Sequence, residues 1–115
     1  MRPGEVYYAD FGPVAGVRPV IVLSRESLNR GTTVMVVPCT TQRFAARSAM
    51  PSCVPFRAGE FGMTENCVAQ AEALQAILRD ALDADGGPLG TLDDLTLRDL
   101  VKAVGYAIES DCEPS

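Results

Sequence analysis

Two apolar runs rich in β-branched residues, each bounded by proline or glycine, most constrain how this chain folds. The first run, residues 20–24, follows a stretch of eight residues that holds two glycines and two prolines. The second run, residues 32–38, ends at a proline. Continuous runs of this kind are typical of strands that are buried on both faces of a sheet. The pattern predicts a buried strand whose entry loop, residues 12–16, delivers Arg18 to the beginning of that strand.

The remaining segments predict a short sheet followed by a closing helix. Residues 5–11 and 53–56 have strand composition, and Pro55 favours an edge position for the second of these strands. Residues 92–110 have apolar positions at helical spacing after an N-cap and acidic residues at positions 91–94. Strands followed by a helix predict an α+β fold, mainly β, most simply a small antiparallel barrel with the helix packed on it.

Three further segments are less regular. Residues 43–50 are basic and lack a clear period, which favours an exposed loop. Residues 67–74 are ambiguous, because their alanines favour a helix that could continue to residue 82. The polar tail, residues 111–115, is predicted to be frayed.

Length and composition predict one domain over residues 1–115. The chain is 47% hydrophobic, and it has neither an 18-residue apolar run nor the apolar region of a signal peptide at its start. A cytoplasmic location is therefore expected. In that compartment the four cysteines, which are Cys39, Cys53, Cys67 and Cys112, are expected to be thiols that act as small buried hydrophobic residues.

The chain contains no histidine, which restricts its possible chemistry. Triads of the Ser-His-Asp and Cys-His types are excluded, and any acid–base step must use another side chain. Without histidine or a CxxC pair, a zinc site is not expected. We predict no cofactor and no metal.

Charge is distributed unevenly along the chain. The net charge is −5, but residues 1–57 hold seven arginines against three acids, a net of +4. Residues 58–115 hold three basic residues against twelve acids, a net of −9. The whole chain therefore lacks the basic balance of a typical nucleic-acid binder, whereas the first half can form a local basic face.

The order of four motifs resembles the MazF/PemK family of toxin endoribonucleases. Residues 4–7 (Gly-Glu-Val-Tyr) match its opening strand, and residues 12–16 match its P-x-x-G loop. Residues 18–24 match R-P followed by an apolar run and serine, and residues 36–41 match V-P-x-T-T. Residues 68–77 and 89–92 are similar to later family segments, so the resemblance spans nearly the whole chain.

The resemblance implies a fold and an activity. The fold would be the SH3-like barrel of the CcdB/PemK type with a C-terminal helix, in which residues 67–74 form a strand. The activity would be metal-independent cleavage of single-stranded RNA, leaving 2′,3′-cyclic phosphate and 5′-hydroxyl ends. The implied partners are RNA, a second copy of the chain in a homodimer, and an antitoxin whose acidic segment occupies the RNA groove.

The resemblance also assigns roles to individual residues. Arg18 and Thr40 match the catalytic arginine and threonine, and Glu72 matches an acid proposed as general base in one branch of the family. An arginine suits the added negative charge of a phosphorane, and a hydroxyl can donate to a phosphate oxygen. The residues expected to bind RNA are Thr41, Gln42, Arg43, Arg47 and Gln70.

Two departures from the family pattern leave other functions open. The first loop is about five residues shorter than usual, and Ala73 stands where the family has glutamine. A homologue that keeps the fold and binds a protein partner without cleaving RNA is therefore an alternative. A gyrase poison of the CcdB type is a weaker one, because such toxins use a C-terminal tryptophan and this chain has none.

Overall fold

A computed structural model of the chain describes residues 1–108, and its eight strands form a single antiparallel sheet. Its strands are β1 (Glu5–Asp10), β2 (Val17–Val22), β3 (Thr33–Thr40), β4 (Cys53–Phe56), β5 (Cys67–Gln70), β6 (Gln75–Leu78), β7 (Leu82–Asp83) and β8 (Gly90–Thr91). Its helices are α1 (Gly12–Ala15), α2 (Phe44–Ser48) and α3 (Asp94–Ala107). Short 3-10 turns cover Leu28–Arg30, Glu60–Gly62, Ala71–Ala73 and Arg79–Ala81.

The strands pair in the order β4-β5-β3-β2-β1-β7, while β6 pairs with β3 and β8 with β1. This confirms the mainly β, α+β fold with a C-terminal helix. The sheet is not closed, however, because no described pairing joins β4 to β7 at its two ends. Neither edge strand favours pairing with a further strand. Strand β7 has only two residues, and Pro55 of β4 lacks the backbone N–H that a further strand would use.

The sheet buries side chains on both of its faces. Ile21 packs in one core cluster, with Val37, Phe56 and Leu100, whereas Val20 and Val22 pack in a second cluster on the opposite side. Successive side chains of a strand point to opposite faces, so a continuous apolar run fits only a strand that is covered twice. The prediction of a doubly buried strand at this run is confirmed.

Helix α3 closes one face of the sheet. The side chain of Asp93 caps it by accepting a hydrogen bond of 2.7 Å from the backbone N–H of Thr96. Leu100 and Ala103 face the core. The predicted helix is confirmed from residue 94, and its last two predicted residues, together with the tail, lie outside the described residues. No described helix has the length and apolar character needed to cross a membrane.

Two segments predicted as loops contain helical turns. Residues 12–16 hold α1, which begins beside Pro13 and ends at Gly16, where φ is +75°. Residues 43–50 hold α2, whose Ser48 hydroxyl donates to the carbonyl of Phe44 at 2.6 Å. Proline is favoured in the first helical turn, and alanine favours helix locally, so each turn forms without an extended apolar period.

The ambiguous segment, residues 67–74, divides into two parts. Its first four residues form β5, which confirms the strand implied by the resemblance, and Ala71–Ala73 form a 3-10 turn. Cross-strand pairing with both β3 and β4 overrides the helix propensity of the alanines. As expected, Cys39, Cys53 and Cys67 are free and buried, whereas Cys112 lies outside the described residues.

We predict that Leu100→Ala lowers the free energy of unfolding by about 2–5 kcal/mol, because it leaves a cavity between α3 and the sheet. Leu100 is fully buried. Leu95→Ala, on the exposed side of the same helix with 72% of the side chain accessible, is the matched control and is expected to change stability little. Urea denaturation followed by circular dichroism measures both. Equal losses from the two variants would contradict this packing of α3.

Candidate functional site

The candidate site lies where strands β2 and β3 diverge. Their ladder pairs Val22 with Val36, Ile21 with Val37 and Val20 with Pro38, and it ends there. Beyond this point β3 pairs with β5, through Cys39–Ala69 and Thr40–Val68, while β2 continues to pair with β1. The two strands therefore form a fork. Continuing their register by two residues places Arg18 opposite Thr40.

Proline residues stand on both strands at the fork. Pro19 precedes the last ladder pair on β2, and Pro38 belongs to that pair on β3. Neither can donate a backbone hydrogen bond, so neither supports a longer ladder. The strand entry differs from the sequence prediction: β2 begins at Val17, before Pro19, so Arg18 lies within the strand and not in a loop that precedes it.

A pocket of about 230 Å³ opens at this fork. It brings together Arg18 and Thr40, and it also includes two of the predicted RNA-binding residues, Thr41 and Gln42. The full lining is Tyr8, Ala15, Val17, Arg18, Pro19, Cys39, Thr40, Thr41, Gln42, Met63, Thr64, Glu65 and Cys67.

Arg18 is held in place by the turn that precedes it. Its Nη2 donates to the carbonyl of Ala15 at 2.9 Å, and its guanidinium carbon lies 5.8 Å from the centre of the Phe11 ring. The turn is closed by the N–H of Gly16, which donates to the carbonyl of Gly12 at 2.7 Å. A guanidinium has five N–H donors, so this anchoring leaves others for an anion in the pocket.

The Thr40 hydroxyl can donate a hydrogen bond to a ligand in the pocket. Its Oγ1 accepts a hydrogen bond of 3.2 Å from the backbone N–H of Gln42. Because that bond uses an oxygen lone pair, the hydroxyl hydrogen stays available for a ligand. The side chain is half-buried at the end of β3, which fixes its position at the rim of the pocket.

Two thiols, Cys39 and Cys67, line the pocket floor. Interaction with Cys67 and burial raise the pKa of the Cys39 thiol well above its usual range, so Cys39 stays protonated near neutral pH. The hydrogen bond from Cys39 lowers the pKa of Cys67. Both thiols are buried, and they line the pocket together with Arg18.

The pocket also contains polar residues that the sequence reasoning missed: Tyr8, Thr64 and Glu65. Glu65 is the one carboxylate among the lining residues of this pocket. It lies two residues before β5, and the pairing of β5 with the end of β3 brings it to the fork. No local motif marks it, so only the strand order reveals its position.

The other predicted site residues lie outside this pocket. Glu72, in the turn after β5, accepts from the Gln70 amide at 3.4 Å and lies 3.9 Å from the Cys53 sulfur. Burial, followed by the charge of Glu72, raises the pKa of Cys53, while nearby Arg47 lowers it. Glu72, Gln70 and Arg47 therefore surround Cys53 as a second polar group. Arg43 is exposed at the beginning of α2.

Comparison with known proteins places this fold among toxins. The structure is similar to an endoribonuclease solved in complex with its cognate antitoxin from a mycobacterial species, with a TM-score of 0.75 and 24% identity over 95% of each chain. The sequence is 29% identical over 87 residues to endoribonuclease EndoA of Bacillus subtilis, covering 71% of this chain and 74% of EndoA. It is 23% identical to endoribonuclease MazF of Staphylococcus saprophyticus, covering 94% and 91% of the two chains.

The family itself is established by a model that matches residues 2–108. The chain belongs to the PemK-like, MazF-like toxins of type II toxin–antitoxin systems. The family resemblance drawn from the motifs around Arg18 and Thr40 is thereby confirmed.

We predict that Arg18→Ala loosens the turn formed by α1. Loss of the bond to the Ala15 carbonyl removes about 1 kcal/mol, so the Gly16 amide should exchange with solvent about fivefold faster. Hydrogen exchange followed by NMR measures this rate without any assay of activity. Arg30→Ala, an exposed arginine outside the pocket, is the control and should leave the rate unchanged. An unaltered Gly16 rate in Arg18→Ala would show that the arginine does not hold the turn.

Proposed function

We propose that this toxin is an endoribonuclease that cleaves single-stranded RNA at the fork of β2 and β3. The observation that carries the proposal is that Arg18, Thr40 and Glu65 line one open pocket. When a ribose 2′-hydroxyl attacks phosphorus, a cation offsets the developing charge, a hydroxyl donates a hydrogen bond and a carboxylate accepts the proton. The pocket offers a group of each kind. The named activity of the relatives EndoA and MazF supports the same assignment.

In this reaction the 2′-oxygen attacks the adjacent phosphorus, and the bond from phosphorus to the 5′-oxygen breaks. The 2′-hydroxyl loses its proton to a base, and the leaving 5′-oxygen gains a proton. The products are a 2′,3′-cyclic phosphate and a 5′-hydroxyl. No electron transfer or metal ion is required for this balance.

Arg18 and Thr40 act on the phosphate. The guanidinium offsets the charge that develops on the nonbridging oxygens, and the Thr40 hydroxyl donates to one of them. Both groups are positioned before substrate binds, Arg18 by the Ala15 carbonyl and Thr40 by the Gln42 N–H. Positioned donors of this kind need little reorganisation during the reaction.

Glu65 is the better placed proton acceptor. It lines the pocket with Arg18 and Thr40, whereas Glu72 packs beside Cys53 and Gln70. The role of general base that the resemblance gives to Glu72 remains a prediction. We propose Glu65 as the alternative base, because it lines the pocket with Arg18 and Thr40, and variants of the two carboxylates distinguish them.

The proposal includes the partners of the toxin. Its substrate is single-stranded RNA, its inhibitor is an antitoxin with an acidic segment, and its working form is a homodimer. The basic first half of the chain, with a net charge of +4, suits both RNA and an acidic peptide. Messenger RNA and the antitoxin would both meet the toxin in the cytoplasm, where we place it.

We expect purified protein to cleave single-stranded RNA in EDTA and to leave cyclic-phosphate ends, detected by mass spectrometry. Arg18→Ala and Thr40→Val should each lower kcat by about 10²-fold or more, the loss typical of removing one donor from a developing oxyanion. Thr40→Ser keeps the hydroxyl and should retain most activity. Arg30→Ala removes an arginine outside the pocket and should cleave normally. Cleavage by Arg18→Ala at the wild-type rate would contradict the catalytic assignment.

The two carboxylates are distinguished by a second pair of variants. Glu65→Gln should lower kcat by about 10²-fold with little change in KM, because a proton acceptor is lost while its shape is kept. Glu72→Gln is the matched control and should leave kcat nearly unchanged. The reverse pattern would return the role of base to Glu72.

A second candidate is antitoxin binding without cleavage. It is favoured by the short first loop, whose Ala15 carbonyl already accepts a hydrogen bond from Arg18. On that account the wild-type protein forms no cyclic-phosphate ends at any concentration, yet binds an acidic antitoxin segment tightly. The EDTA cleavage assay decides between the two.

A further inference from the structure

A second groove lies beside the candidate site, between helix α2 and the end of strand β4. Its volume is about 420 Å³, and its walls include the Phe44 ring, the Pro55 ring and the Arg57 side chain. Ala45, Ser48 and Glu60 complete the lining. The flat faces of these walls distinguish it from the polar pocket at the fork.

Phe44 and Arg57 form a stacked pair in this groove. The guanidinium carbon of Arg57 lies 6.0 Å from the centre of the Phe44 ring. Arg57 is exposed and Phe44 is half-buried, so an aromatic surface beside a positive charge stays accessible to solvent. Unpaired nucleobases stack on both kinds of surface, aromatic rings and guanidinium planes.

The backbone conformation of the preceding residue, Arg43, sets the position of Phe44. Arg43, the residue before it, has φ of +53° and ψ of +42°, a left-handed conformation that is uncommon for a residue with a side chain. This turn ends the path of β3 and begins α2. The Ser48 hydroxyl then donates to the Phe44 carbonyl, which braces the short helix.

Two short segments of the chain connect the groove with the pocket at the fork. Gln42 lines the pocket and Phe44 lines the groove, so their Cα atoms lie at most about 7.6 Å apart. On the other side Phe56, the last residue of β4, pairs with Cys67 of the pocket, and Arg57 follows it directly. Stacked nucleotides rise about 3.4 Å each, so about two of them cover the largest separation that the Gln42 and Phe44 Cα atoms allow.

We propose that the Phe44–Arg57 groove binds a nucleobase of the RNA, one or two nucleotides from the scissile phosphate, by stacking. The proposal rests on the proposed function, because it takes RNA to be the substrate. Stacking tolerates every base, whereas the arginine adds attraction to the neighbouring backbone. The groove therefore sets affinity and the position of the strand, while the fork carries out the chemistry.

The test measures binding of an RNA oligonucleotide made uncleavable by a 2′-deoxy substitution at the cleavage site. Phe44→Leu keeps the apolar packing of α2 and removes the aromatic face, and Arg57→Lys keeps the charge and removes the planar guanidinium. Each should weaken binding about tenfold, the loss expected for one stacked base. Arg30→Ala removes an exposed arginine that lines neither this groove nor the pocket at the fork, so it is the control and should weaken binding much less.

An abasic scan identifies the stacked nucleotide. Removing the base at one position near the cleavage site should cost wild-type protein about the same tenfold. In Phe44→Leu the same removal should cost little, because the partner of that base is already gone. Additive losses at every scanned position would overturn the proposal.

The outcomes separate this proposal from the proposed function. If wild-type protein binds the uncleavable RNA but does not cleave the normal RNA, the endoribonuclease assignment fails. The binding measurements on Phe44→Leu and Arg57→Lys then still test the groove proposal. If cleavage is normal and Phe44→Leu and Arg57→Lys bind like wild type, the groove proposal fails alone. Absence of RNA binding by the wild type would overturn both.

Discussion

The interaction on which the site depends is the antiparallel ladder between β2 and β3, and the point at which it ends. Three pairs from Val22–Val36 to Val20–Pro38 fix the register of the two strands. Beyond them each strand pairs with a different neighbour. A one-residue slip would turn every side chain to the opposite face, so this register alone decides that Arg18 and Thr40 share a pocket.

The same ladder gives the site a rigid base. Val20, Ile21 and Val22 are fully buried in two core clusters on opposite faces, which leaves the strand little freedom to shift. Arg18 lies only two residues beyond this buried run. The pocket is therefore open to solvent, while the strand that carries Arg18 is held rigidly. Donors held in this way can stabilise developing charge without reorganising.

The sequence predicts the parts of the fold that depend on local pattern and family motif. It identified the doubly buried strand, the edge strand with Pro55, helix α3, and the motif positions of Arg18 and Thr40. It missed α2, which has no apolar period, and the open sheet, because closure depends on the two distant sheet ends. Glu65 escaped notice for a related reason: β5 brings it to the fork only through pairing with β3. Glu72, placed by motif, lies in a turn beside Cys53.

The most direct test of this account is a crystal structure of the protein with uncleavable RNA. The account predicts that the phosphate at the blocked cleavage site lies at the fork, within hydrogen-bond distance of both the Arg18 guanidinium and the Thr40 hydroxyl. A phosphate held instead by the group around Cys53, beside Arg47 and Glu72, would contradict it.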